Sequence, residues 1–94
     1  MRKSTTDDGH VRVEFELPAS AGAERAAVLG EFTAWTPLDM NPVGDGSFTL
    51  AVELPVGNSY RFRYLIDGII WDNDWTADGY EPNPYGGEDS VVRV

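Results

Sequence analysis

An all-β fold of the sandwich or barrel type is predicted by three observations. Apolar side chains recur at every second position in four separate runs. The runs are short, and Gly and Pro turns divide them at intervals of roughly 8–15 residues. No stretch carries a helical period.

Taken in order, residues 1–9 read as a flexible N-terminal tail and residues 10–94 as one domain. In the first run Val11, Val13, Phe15 and Leu17 alternate with Arg12, Glu14 and Glu16, and Pro18 closes it. Ala19 to Glu24 is small and polar and reads as a connection. Ala26, Val28, Gly30 and Phe32 form one face of the next strand, with Leu29 on the other. Thr36 to Pro42 contains two prolines, Pro37 and Pro42, and cannot be a central strand, because proline lacks the N–H that a ladder requires. After the Gly44-Asp45-Gly46 turn, Phe48, Leu50, Val52 and Leu54 alternate with Thr49, Ala51 and Glu53.

The strongest run is Tyr60 to Ile66, in which Tyr60, Phe62, Tyr64 and Ile66 share one face and Arg61, Arg63 and Leu65 the other. Asp67-Gly68 follows as a hairpin signal, since Gly accepts the positive φ of a tight turn. The return strand is expected through Ile69, Ile70 and Trp71. This hairpin is expected to sit centrally and to present its outer face as the working surface. Beyond it, Asp72 to Asp89 reads as an acidic, aromatic loop, and Val91 to Val94 as a closing edge strand.

Composition excludes several functions. With 94 residues there is room for one domain with a thin core. The chain has no Cys, so disulfides, redox pairs and thiolate metal sites are excluded. Seven Lys plus Arg stand against sixteen Asp plus Glu, a net charge of −9 that repels nucleic-acid phosphates and anionic membrane alike. The basic start, Met1-Arg2-Lys3, has no apolar stretch behind it. No run approaches the roughly 18 apolar residues of a membrane span. A soluble cytoplasmic domain is expected.

Catalytic sets are scarce. His10 is the one histidine, so no Ser-His-Asp or Cys-His arrangement can be assembled. Acids are plentiful enough for a glycosidase pair, but that pair needs a cleft to raise one pKa, which a small sandwich rarely supplies. No enzyme is expected. Asp72-Asn73-Asp74 with Asp78 resembles a calcium loop in composition. Counted from Asp72, however, the sixth position is not Gly and the twelfth is Asn83 rather than Glu. A solvated acidic turn is expected, with no metal and no cofactor.

The aromatic residues are more informative. Trp35 follows a strand and precedes a Thr-Pro loop, a poor place to bury an indole. In an extended chain Trp71 and Trp75 would point one way and Asp72 and Asp74 the other. Tyr80 and Tyr85 lie beyond. Flat rings beside Arg, Asp and Asn suit a neutral sugar: the rings cover the apolar face of a pyranose and the polar groups take its hydroxyls.

Four stretches come in the order and spacing of a known module. They are Val28 to Trp35 (Val-Leu-Gly-Glu-Phe-Thr-Ala-Trp), the Asp45 to Phe48 turn, Leu54 to Gly57, and Tyr60 to Gly68. The chain resembles carbohydrate-binding module family 48, the early-set domains of isoamylases and glycogen-branching enzymes, over about residues 11–94. It is also similar to the glycogen-binding domain of the AMP-activated kinase β subunit. Asp78 to Val92 looks like the ending of stand-alone bacterial members.

The resemblance implies an immunoglobulin-like early-set β-sandwich that binds α-1,4-glucan (glycogen, starch or maltooligosaccharide) without cleaving it. It also implies the binding residues. Trp35 matches the family's first stacking tryptophan, and Arg61 falls where the glycogen binders place a hydroxyl-bonding Lys. Trp71 is the nearest match to the second tryptophan, with Ile70 the alternative in strict register. Tyr85 falls at the apolar residue of the ligand loop and Asp89 at its sugar-bonding Asn. Thr33-Ala34 departs from the family's Asn pair before Trp35. The competing expectation is a protein-interaction or scaffold domain that pairs with a glucan-metabolising enzyme through the same face.

Overall fold

The run from Ser59 to Ile66 is the middle strand of one sheet, and its alternation decides which of its side chains meet the core. A computed structural model describes residues 1–6 and 8–94. It is an all-β sandwich of two antiparallel sheets. In chain order the strands are β1 (Arg2–Thr5), β2 (His10–Leu17), β3 (Ala26–Gly30), β4 (Leu38–Asp39) and β5 (Asn41–Pro42). They continue as β6 (Phe48–Pro55), β7 (Ser59–Ile66), β8 (Ile70–Asp72), β9 (Gly79–Pro82) and β10 (Glu88–Arg93).

One sheet has the order β1-β2-β6-β5; the other has β4-β3-β7-β10-β9, with β8 also paired to β7. Neither proline is in a central strand: Pro37 lies just before β4 and Pro42 within β5, and these two-residue strands are edges of the two different sheets. Between those strands Met40 is buried, and its N–H donates to Ala26 O.

The inner faces follow from period two. Val11, Val13, Phe15 and Leu17 of β2 stand opposite Leu54, Val52, Leu50 and Phe48 of β6. Phe62 and Tyr64 of β7 face them from the other sheet. Phe15 meets Phe62 edge-on with ring centres 4.9 Å apart and stacks on Phe32 at 5.4 Å. Such aromatic pairs add roughly 0.5–1.5 kcal/mol beyond their buried area. Phe32 comes from a single 3-10 turn, Glu31–Thr33, that ends β3. Gly30 opens that turn because nothing larger fits: a Cβ there would lie 2.6 Å from the Arg61 carbonyl.

Three expectations need correction. The first nine residues are not all tail. Arg2–Thr5 pairs with β2, and the Lys3 ammonium reaches across to the Asp78 carboxylate at 2.5 Å and to Arg93 O at 3.0 Å. Asp72 to Asp89 is not all loop, since Gly79–Pro82 forms β9, paired with β10. β10 is not an edge strand either. It lies between β7 and β9, so Val91 and Val92 are both buried although they point to opposite faces. No helix among the described residues is long and apolar enough to cross a membrane.

Candidate functional site

The outer face of β7 carries Arg61, Arg63 and Leu65, as the alternation requires. The hairpin turn has positive φ at both Asp67 (54°) and Gly68 (71°), the pairing that matches strand twist in a two-residue turn. The Asp67 carboxylate accepts the N–H groups of Glu24 and Arg25 at 2.8 and 3.0 Å, which ties the turn to the start of β3. The chain then re-enters one residue later than expected, with Ile66 opposite Ile70 and Leu65 opposite Trp71. Trp71 therefore shares the face of Arg63, and Ile70 does not. The Arg63 guanidinium lies over the Trp71 ring, 5.9 Å from its centre, within cation–π range.

β8 leaves the side of β7 at Asp72, and β10 takes its place from Ser90. Asn73 makes the exchange. Its amide donates to Glu88 O at 2.8 Å, and its carbonyl accepts the Ser90 N–H at 3.1 Å and the Ser90 hydroxyl at 2.9 Å. Asp74 is buried, not solvated as the sequence suggested. It accepts the Tyr64 hydroxyl at 2.6 Å and the N–H and hydroxyl of Thr76 at 2.8 and 2.9 Å. Burial first, and then the Asp74 charge, push the Tyr64 hydroxyl far above the ordinary phenol pKa, so it is a fixed donor.

The two arginines do different work. Arg61 donates to Pro82 O at 3.1 Å and to Asp89 at 3.5 Å, and pairs with Glu81 at 2.7 Å. Its backbone N–H donates to the Glu31 carboxylate at 2.6 Å, which takes over where β3 ends. Arg61 thus holds the β9–β10 hairpin onto β7. Arg63 makes no ion pair among the described residues, and its buried Nε–H has no partner there. With Tyr80, Pro82, Asn83 and Gly87 it lines a shallow open groove of about 760 Å³ between the Asn73 segment and the hairpin loop.

None of the expected residues Trp71, Asp89, Tyr85 and Trp35 is part of the groove lining itself. Both Asp89 oxygens are engaged, one by Arg61 and one by the Asn83 amide at 3.1 Å. The Asn83 carbonyl accepts the N–H groups of Tyr85 and Gly87, at 3.0 and 3.2 Å, and so folds the hairpin loop. Tyr85 sits on that loop, 93 % exposed. Trp35 stands on the β3 side of β7, 40 % exposed, in a turn where Ala34 and Trp35 both have positive φ. Its N–H donates to Gly30 O at 2.8 Å, and the Thr33 hydroxyl bonds both backbone groups of Gly30 at 3.0 Å. Trp35 does not line the groove.

Sequence reasoning missed Arg63 and Asn83. Alternation put Arg61 and Arg63 on one face with nothing to distinguish them, because the partners that occupy Arg61 come from β9 and β10. The Pro-Asn-Pro run was the available sign for Asn83, since Asn side chains fold turns onto their own backbone. Compared with protein-family models and with curated proteins, the chain matches none.

Proposed function

We propose that this chain is a cytoplasmic, non-catalytic α-glucan-binding module of the early-set type. The observation that carries the reading is the Trp71–Arg63 pair on an open sheet face. An indole plate adjoins a guanidinium that makes no ion pair among the described residues, and the groove beside it is lined by Asn83, Tyr80 and Glu88. A pyranose presents an apolar face ringed by hydroxyls, and this face offers a ring and donors to match. Trp35 and Tyr85 would supply further apolar plates at the two flanks. Arg61 and Asp89 would act by holding the hairpin rather than by touching sugar. The resemblance to family 48 modules supports the same ligand.

The affinity expected of two or three rings is weak, about 4–6 kcal/mol, or millimolar to tens of micromolar. Many chain ends on one glycogen particle would raise it by avidity. Titration with maltoheptaose, followed by tryptophan fluorescence, tests the reading. A saturable change by millimolar sugar is expected, and a flat response would refute it.

One observation favours a second reading. Ile69 is 80 % exposed and Ile70 lies bare beside it at the hairpin tip, an apolar pair that a sugar does not need. A protein-interaction or scaffold domain, docking on a glucan-metabolising enzyme through this tip, would use them.

A further inference from the structure

A second cavity opens at the end of the sandwich, away from the sheet face. It has a volume of about 340 Å³, at the lower end of the ~300–1,000 Å³ typical of ligand pockets. The end of β2, the start of β6 and the segment from Asp72 to Thr76 enclose it. Leu17, Pro18 and Phe48 give it apolar walls, and Tyr64 with Asp74 lies at its base. Trp75 stands at its rim, 77 % exposed, and takes no part in the core. An indole left in water has a large apolar area to gain from a partner.

The chemistry of the lining selects that partner. Glu16 is paired with Arg2 at 2.7 Å, and the Asp74 oxygens are filled by Tyr64 and Thr76. Asp72, the third acid of the lining, accepts the Asn73 N–H at 2.8 Å with one oxygen, and no group of three or more acids or histidines that could hold a metal ion occurs among the described residues. What remains is one indole plate beside apolar walls, with the Ser20 and Thr49 hydroxyls and one Asp72 oxygen, since the Thr76 hydroxyl is already taken by Asp74. A neutral, polyhydroxylated ring fits that set. Asn73 borders both this cavity and the groove, and its side chain is fully occupied by Glu88 and Ser90. It therefore stands between them as a partition. The groove is open along its length and suits an internal stretch of chain, whereas the cavity is walled on several sides and suits a terminus.

We infer that the Trp75 cavity is a second sugar subsite, which takes the terminal pyranose of an α-1,4-glucan chain and is separate from the Arg63 groove and the Trp71 ring beside it. The inference rests on the glucan-binding reading above. The three tryptophans give three indole N–H signals, assignable by single Trp→Phe substitutions in nitrogen-15-labelled protein. Two probes separate the possibilities: maltotriose, which has chain ends, and β-cyclodextrin, a cyclic α-1,4-glucan with none. The Trp75 indole should shift with maltotriose and stay still with β-cyclodextrin, while Trp71 shifts with both. Trp71→Ala should leave the Trp75 response to maltotriose in place. A silent Trp75 alongside a responding Trp71 overturns the second subsite and leaves the glucan reading standing. An equal Trp75 response to both probes overturns the preference for a terminus. If no indole responds to either probe, both readings fall.

Discussion

Asn73 accepts both the backbone N–H and the hydroxyl of Ser90, at 3.1 and 2.9 Å, and so joins the strand that leaves β7 to the strand that replaces it. Two cavities lie on either side of this junction. The same short segment therefore controls the shape of both. Asn73→Ala would leave the buried Ser90 donors without their acceptor. A loss of about 1–3 kcal/mol is expected, which thermal unfolding would read as roughly 4–8 °C per kcal/mol in a domain this small.

Tyr64→Phe tests the base of the end cavity. The ring stays, but the buried Asp74 oxygen loses the donor that lies 2.6 Å away. Destabilisation by about 1–3 kcal/mol is expected, measurable by urea unfolding. An unchanged midpoint would mean that Asp74 is satisfied by other means.

Much of the fold was legible because period-two alternation is a local signal. Phe15, Leu17, Phe48, Phe62 and Tyr64 all occupy the inner positions that it assigns. β10 was misplaced for a physical reason. Val91 and Val92 point to opposite faces and both are buried, and a short apolar run does not say whether it is edge or interior. β1 was illegible because Arg2 to Thr5 is polar throughout, and Lys3 is held by groups 75 and 90 residues away. The site was legible to the level of a face. Trp71 and Arg61 were named for it, and alternation put Arg63 on the same face, but which arginine stays free depends on Glu81 and Asp89, which alternation cannot bring near.

Asp78 should make stability depend on pH. Burial alone would raise its pKa, but the Arg93 N–H and the Lys3 ammonium together bring it below the ordinary value. A carboxyl with a depressed folded pKa stabilises fully above its unfolded pKa, near ~3.9, and loses that contribution as pH falls through the folded value. Asp78→Asn should therefore melt below the wild type at pH 7, and the gap should close below about pH 4. Melting curves across that range check it; a gap that persisted in acid would contradict it.

The two arginines should separate stability from binding. Arg61→Ala strips Asp89 of its cation and releases the hairpin from β7, so the melting temperature should fall by the equivalent of about 1–3 kcal/mol. Arg63→Ala should leave the melting temperature within a few degrees and weaken maltoheptaose binding about tenfold, the loss of one charged hydrogen-bond donor. Calorimetry and thermal melts on the pair check both halves. Binding should also hold between low and moderate salt, since a neutral ligand releases no counterions.

Trp71→Ala with glycogen tests the central claim most directly. The ring lies on the outer face, 46 % exposed, so its removal should leave the domain folded. Loss of one stacking plate should lower affinity by about 1–3 kcal/mol, ten- to a hundredfold, by analogy with base–aromatic stacking. The measurement is co-sedimentation with glycogen, read beside the melting temperature. The account predicts that wild type pellets with glycogen while the variant melts normally and stays in the supernatant. A wild type that never sediments, or a folded variant that sediments as well as wild type, would contradict it.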